Sequence, residues 1–311
     1  MRSRITLGLR ASGKRKAIAA ALRLAALVAG AFVLSASGCT GLVTDSGSSP
    51  SFEGEEALRW AAWQVGLGPR IPGTIGHGEA VDGIAARLED LGWTVERQQF
   101  VYQGTGLTNL VARRGQDTDA LVILGAHFDT RPAADRDSAN PSQPVPGAND
   151  GASGVAVLLE LGRVLAEREP DRAVWLVFFD AEDSGDIAGW DWVVGSRHFV
   201  STLEIQPEAA VIVDMVGDAD LQLYYERGSD PYLAAEIWRV GEQLGYPAFV
   251  PEPRHALLDD HTPFVQADIP AVDVIDFDYP YWHTTQDTLD KISADSLEQV
   301  GRTLLAWLLG G

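Results

Sequence analysis

The sequence predicts an α/β protein: a single domain with a mixed, mostly parallel β-sheet sandwiched by helices and an active site at the strand C-terminal ends. Three observations predict it. Leu121–Leu124, Val174–Phe179 and Ala210–Val213 are short unbroken apolar runs, the mark of strands buried on both faces. Between the first two lies Gly151–Ala166, where Val155, Leu158, Leu159, Val164 and Leu165 have helical spacing. Acid- and histidine-bearing segments follow all three runs, and open α/β sheets place ligands at the carboxyl ends of their strands.

The first 38 residues carry seven Lys/Arg and no acid, and an apolar run, Ala17–Leu34, follows Lys16. This is the pattern of an export signal. Its end, Ala36-Ser37-Gly38-Cys39, resembles a bacterial lipoprotein cleavage box, which implies acylation of Cys39 and a place in the cell envelope. Residues 1–39 are therefore expected to be the export signal, 40–52 a Ser/Gly-rich linker and 53–311 the catalytic domain. Contact with membrane is expected only through that anchor. With a single cysteine no disulfide forms within the chain, so the fold must stand on its core.

Beyond the linker, Glu55–Val65 and Glu79–Leu91 have helical spacing, the second stopping at Gly92. Trp93–Tyr102 alternates and Thr108–Ala112 follows it, predicting two antiparallel strands before the buried ones. Arg131–Ala148 is a long Pro/Asp/Ser loop, suited to covering an ion or a substrate. Ser293–Leu309 closes the chain as an amphipathic helix. No internal repeat occurs.

The chain of 311 residues is 46% hydrophobic and 22% charged, an ordinary globular composition, with a formal net charge of −20. Without the first 38 residues the balance is 17 basic against 44 acidic groups, or −27. So acidic a body repels phosphate backbones, which disfavours nucleic acid as a partner. Motifs for other chemistries are missing: no His-Glu-x-x-His, no phosphate-binding Gly-x-x-x-x-Gly-Lys and no Gly-x-Ser-x-Gly elbow.

Five short segments carry the chemistry: Gly125-Ala-His127-Phe-Asp129, Asn149-Asp150-Gly151, Asp180-Ala-Glu182-Asp183, Asp214-Met-Val-Gly217 and Trp282-His283-Thr284. Singly, each has a structural explanation. His127 could be a hydrogen-bonded structural histidine, Asp150 a helix N-cap and Glu182-Asp183 a solvated pair. Gathered in one crevice, they would repel by several kcal/mol unless a cation intervened. Two or three carboxylates with one or two imidazoles are the ligand set of a catalytic zinc with an open position. Glu182, beside a ligand, would then be free to move protons. His77, His198, His255 and His261 read as structural, the last as a hydrogen-bonding residue at a helix start.

These ordered motifs resemble the M28 zinc peptidase family, from about Arg70-Ile-Pro-Gly73 to the C-terminus. The resemblance implies an α/β sandwich with metal at the strand ends. It also implies one of two reactions. In the aminopeptidase branch two zincs are held, His127 and Asp214 binding one, Asp183 and His283 the other, with Asp150 bridging. In the glutaminyl-peptide cyclotransferase branch one Zn2+ is held by the residues matching Asp150, Asp183 and His283. There Glu182 is the catalytic acid/base, Asp214 and Asp259 join its hydrogen-bond network, and His127 and Asp129 stand behind the ligands. Trp282 and a loop tryptophan, taken as Trp190 rather than Trp192, line the substrate pocket. Gly195-Ser-Arg-His198, Asp259-Asp260-His261-Thr-Pro-Phe264 and Tyr279-Pro-Tyr-Trp282-His283-Thr284 favour the cyclotransferase branch. Animal members have glutamate where this chain has Asp183. The expected substrate is the N-terminus of a peptide or protein, and the expected state is a monomer. A metal-holding module without activity is the remaining alternative, and an intact Glu182 argues against it.

Overall fold

In chain order the elements are α1 (Gly54–Gly66), α2 (Ile75–Asp90), β1 (Thr94–Tyr102), β2 (Thr105–Arg114), β3 (Leu121–His127), α3 (Ala152–Glu167), β4 (Ala173–Phe179) and α4 (Val194–Ser201). There follow β5 (Ala209–Asp214), β6 (Leu223–Tyr225), α5 (Pro231–Gln243), β7 (Phe249–Pro253), α6 (Thr262–Gln266), β8 (Ala271–Ile275), a single 3-10 turn (Leu289–Lys291) and α7 (Ala294–Leu308). They are seen in a computed structural model that describes residues 50–114, 120–168 and 170–310. The expected export signal and most of the expected linker lie outside the described residues.

Six strands form one sheet in the order β1-β2-β4-β3-β5-β8. The inner strands β4, β3 and β5 and the edge strand β8 run parallel, while β1 and β2 are antiparallel additions at the other edge. Every residue of β3, β4 and β5 is buried, as unbroken apolar runs require of strands covered on both faces. Alternation divides them between two cores. Val122, Leu124, Val174, Leu176, Val211 and Val213 face the larger one, shared with α1, α2, α3, α5 and α7. Ile123, Trp175, Val177 and Ile212 face the smaller, with Phe199 of α4 and Phe264 of α6. The chain is thus a single α/β domain whose mixed sheet is flanked by helices.

Some boundaries depart from expectation for local reasons. Helix α2 starts four residues early because the Thr74 side chain accepts from the backbone N–H of His77 and caps it. The expected linker reaches its end before residue 52. The carbonyls of Pro50 and Ser51 accept from Arg168 and Arg163, and Phe52 is fully buried. Helix α5 is a further element, with its own local signal: Asp230 caps it, Pro231 opens it, and Leu233, Ile237 and Val240 share a face.

Helix α3 lies so close to β5 that a Cβ on Gly154 would stand 2.0 Å from the Val213 carbonyl oxygen and 3.0 Å from Ala126 Cβ. Helix propensity alone would make Gly154→Ala stabilising by about 1 kcal/mol. Overpacking against backbone costs about 3 kcal/mol. A net loss of about 2 kcal/mol is therefore expected, read as a lower urea midpoint with unchanged slope.

Candidate metal and active site

Strand β3 ends at His127, and Glu182-Asp183 and Asp214 come at or just after the ends of β4 and β5, so parallel pairing brings them to one rim. Asp150 arrives on the turn before α3, and His283 on the turn after β8. Three non-glycine residues with left-handed backbone stand at this rim: Ala181 (φ 55°), Met215 (φ 45°) and His283 (φ 58°). Such backbone costs about 1–3 kcal/mol each and marks places where side-chain direction matters more than local comfort. Gly151 has φ 94°, and a Cβ there would lie 2.5 Å from the Asp129 carbonyl oxygen. Only glycine lets the Asp150 turn approach β3 so closely.

Two groups of candidate ligands result, and they share Asp150. The ligand atoms of Asp150, Asp183 and His283 lie within 4.8 Å of one another, and so do those of His127, Asp150 and Asp214. All are buried. In the first group His283 Nε2 is 3.2 Å from Asp183 Oδ1 and 3.9 Å from Asp150 Oδ2. In the second, His127 Nε2 is 3.0 Å from Asp214 Oδ1 and 3.2 Å from Asp150 Oδ1. Asp150 does not cap α3: Gly151 occupies that position, and no side chain caps the helix.

The two groups differ in what they lack. His127 Nε2 and Asp214 Oδ1 are in hydrogen-bond contact. Around His283, by contrast, Asp150 Oδ2 and Asp183 Oδ2 are buried without any hydrogen-bond partner. Buried carboxylate oxygens left so are costly unless protonated or coordinated. A mixed carboxylate and imidazole donor set suits zinc.

A supporting layer holds the ligands in place. Asp129 accepts the backbone N–H of Glu182 (3.0 Å) and of Asp183 (3.1 Å), and its Oδ1 lies 3.5 Å from His127 Nδ1. Asp287 does the same for Asn149 and Asp150, and also accepts from the Tyr279 hydroxyl. His283 Nδ1 faces Asp135 Oδ1 at 3.2 Å, leaving Nε2 for the acids. Arg131 donates two bonds to Asp135 and also reaches the Asp183 carbonyl and carboxylate. Buried Arg70 donates to the carbonyls of Phe128, Pro146 and Gly147, tying the His127 strand end to the Asp150 turn. Asp287, Asp135, Arg131 and this role of Arg70 were not foreseen. The Pro/Asp/Ser loop signal pointed to the segment holding Arg131 and Asp135 but not to any residue in it.

Burial shapes the electrostatics. It pushes Asp183 up to about 6, with Asp150 reinforcing and His283 opposing. Burial likewise raises Asp214 to about 7 despite His127. Glu182 stands well above the usual carboxylate range, chiefly from burial, with His127 opposing and Asp259, Asp183 and Asp260 adding repulsion. Of the ligand acids Asp150 alone is lowered: burial is the largest influence and opposes this, but the His127 hydrogen bond and the charges of His127, His283 and Arg131 together outweigh it. A protonatable Glu182 beside a ligand-poor acid pair is the arrangement of a general acid/base next to a metal.

The groups open into a cleft of about 360 Å³ lined by Asp150, Glu182, Asp183, Asp214 and Asp259 on its polar side. Leu257, Leu258, Ile275, Phe277, Met215, Trp192 and Trp282 make its apolar side. The loop tryptophan is corrected here. Trp190 packs instead with Tyr102, Leu107 and Val194, ring centroids 5.3 Å from Tyr102, and is absent from the cleft wall. Trp192 takes its place, stacked on His283 at 6.0 Å and 6°, with the Arg131 guanidinium over its ring. Trp282 covers His283 from 3.9 Å. Two tryptophans two residues apart in a loop cannot be told apart by spacing; the Trp192 indole N–H donates to Asp186, which helps set its direction. Trp192→Ala is expected to weaken peptide binding about tenfold, since a buried aromatic contact is worth roughly 1–1.5 kcal/mol. Trp190→Ala should leave binding unchanged in the same calorimetric titration.

Of the histidines read as structural, His77 pairs with Asp180 at 2.8 Å, His198 stacks on Phe100 and His255 pairs with Asp278. His261 differs: its side chain does not cap α6.

Fold and site together define a metal-binding α/β protein whose acids and imidazoles converge at the ends of parallel strands. Residues 109–308 match peptidase family M28, and the chain belongs to that family. Among solved structures it is similar to the glutaminyl cyclase of Tannerella forsythia, at 32% identity and TM-score 0.79, covering 84% of this chain and 100% of that one. It is also similar to a Zn-dependent exopeptidase from Parabacteroides distasonis, at 28% identity and TM-score 0.80, over 85% of this chain and 100% of that one. An aminopeptidase of Bacillus subtilis is 28% identical over 206 residues, 60% of this chain, but the match spans only 40% of that protein's length. No helix among the described residues is long and apolar enough to cross a membrane.

Proposed function

We propose that the protein is a zinc-dependent glutaminyl-peptide cyclotransferase, converting N-terminal glutamine of peptides or proteins to pyroglutamate with release of ammonia. One observation carries this reading. Of the two groups that share Asp150, only the one with Asp183 and His283 leaves two buried carboxylate oxygens without donors, so one cation is called for there, beside an apolar cleft. Zinc held there would act as a Lewis acid on the γ-carboxamide carbonyl of the substrate. The substrate's own α-amine is the nucleophile. Glu182 accepts a proton from that amine as the new C–N bond forms, then delivers it to the nitrogen that leaves as ammonia. Burial, with repulsion from Asp259 and Asp183 added, keeps the proton affinity of Glu182 high, and Asp214 lines the same cleft. Trp192, Trp282 and Phe277 exclude water and favour the folded side chain that ring closure needs. Similarity to the T. forsythia cyclase supports the reading. It extends to an exported, envelope-held monomer acting outside the cytoplasm.

A second reading is favoured by the sharing of Asp150. If the His127, Asp150 and Asp214 group also held a metal, two ions would lie on either side of that carboxylate, as an aminopeptidase requires. Similarity to the P. distasonis exopeptidase fits this. Incubation with Gln-initiated and Leu-initiated peptides, read by mass spectrometry, separates the two. Cyclisation predicts loss of ammonia from the first and no change in the second. Release of the N-terminal residue from either would replace the cyclase with an aminopeptidase, and neither change would leave a metal-holding binding module.

A further inference from the structure

Behind the cleft wall lies a second set of buried acids. Asp259, Asp260 and His261 lie on the turn that leads into α6, Asp273 sits in the middle of β8, and Glu226 follows β6. Asp260 and Asp273 are fully buried, and His261 is 1% exposed. Asp273 interrupts the apolar pattern of β8, between Val272 and Val274 in the larger core. A carboxylate at the centre of a buried strand needs a compensating partner. Its backbone N–H bonds to the Ser229 hydroxyl, but neither of its carboxylate oxygens has a donor. Among the described residues no lysine or arginine forms an ion pair with Asp259, Asp260 or Asp273.

The one imidazole present is already oriented. Glu226 is ringed by donors: the Gly228 N–H (2.8 Å), the Ser229 hydroxyl (3.0 Å) and the Leu257 N–H (2.9 Å). It faces His261 Nε2 at 3.1 Å. With Nε2–H donating to Glu226, the lone pair of His261 lies on Nδ1, which is buried and has no hydrogen-bond partner. Nδ1 stands 3.5 Å from Asp273 Oδ2, and ligand atoms of Asp259, His261 and Asp273 lie within 4.8 Å of one another. A carboxylate fixing one imidazole nitrogen while the other faces acids is how metal-bound histidines are held. His283 with Asp135 repeats the arrangement at the cleft.

We propose that Asp259, His261 Nδ1 and Asp273 form a further binding site for a divalent cation of the zinc type, distinct from both groups that share Asp150. The cation balances carboxylates that, among the described residues, no lysine or arginine pairs with. It also fixes Asp259, whose side chain lines the cleft, and so steadies the wall facing Glu182. The site stands whichever reaction the cleft performs.

Crystals of the unmodified, zinc-saturated protein, measured at the zinc absorption edge, test this directly. An anomalous peak enclosed by Asp259, His261 and Asp273 is expected. Zinc at Asp150 with a clean map at Asp273 would overturn the proposal and leave protons shared among these acids. A second measurement uses Asp150→Asn, which removes the acid common to both cleft groups. After zinc saturation and desalting it should retain about one zinc per chain, and Asp150→Asn/Asp273→Asn none. No zinc in the first variant, or equal zinc in both, would sink the idea.

Discussion

Stripped of metal by a chelator, the protein is expected to lose stability as pH rises from about 4 to 7, and zinc should reverse the trend. The sign follows from Asp183 and Asp214, pushed up to about 6 and about 7 by burial. Between the ordinary carboxylate range and those values, the folded chain keeps protons that the unfolded chain has released. Stability is then full below about pH 4 and falls as pH climbs through 6 and 7. For Asp183 alone the loss is about 3 kcal/mol, or roughly 6–12 °C in Tm for a domain of this size. Zinc takes the place of those protons, so its stabilising effect should be larger at pH 8 than at pH 5. Thermal melts followed by circular dichroism, with chelator and with zinc at each pH, measure both slopes. Parallel curves would mean that the buried acids of the cleft do not bind the metal.

Glu182→Gln is expected to reduce turnover about 10²–10⁴-fold, the usual worth of a positioned acid/base, while bound zinc is unchanged. Glutamine matches glutamate in shape and removes only the ability to carry the proton. The backbone N–H of Glu182 is held by Asp129 and the side chain faces the cleft, so the substitution leaves the ligands undisturbed. Ammonia release from a glutaminyl peptide and metal analysis of the same preparation are the two readouts. Full turnover in the variant would remove Glu182 from the mechanism. Loss of zinc together with activity would make it a ligand or a support of one.

Much of this architecture was legible in the sequence. The continuous apolar runs of β3, β4 and β5 could only be strands covered on both sides, and the acids at their ends followed the parallel-sheet rule. What stayed hidden were residues whose role depends on contact across long separations. Asp287 touches Asn149 and Asp150 from 138 and 137 positions away. Strand β8 was missed because Asp273 broke its apolar run, so the grouping of Asp273 with Asp259 and His261 came only from the tertiary structure. Trp190 and Trp192 were exchanged because loop side chains take their direction from packing, not from periodicity.

By itself, then, the chain determines the layers of the domain and the residues able to bear metal chemistry, because hydrophobic period and ligand type are local properties written along the backbone. Only the tertiary structure decides which carboxylates share one cation, which imidazole nitrogen faces them and which tryptophan meets the substrate. Those choices rest on distances of a few ångströms between segments far apart in sequence, and burial alone makes such distances matter to the energy of a charge.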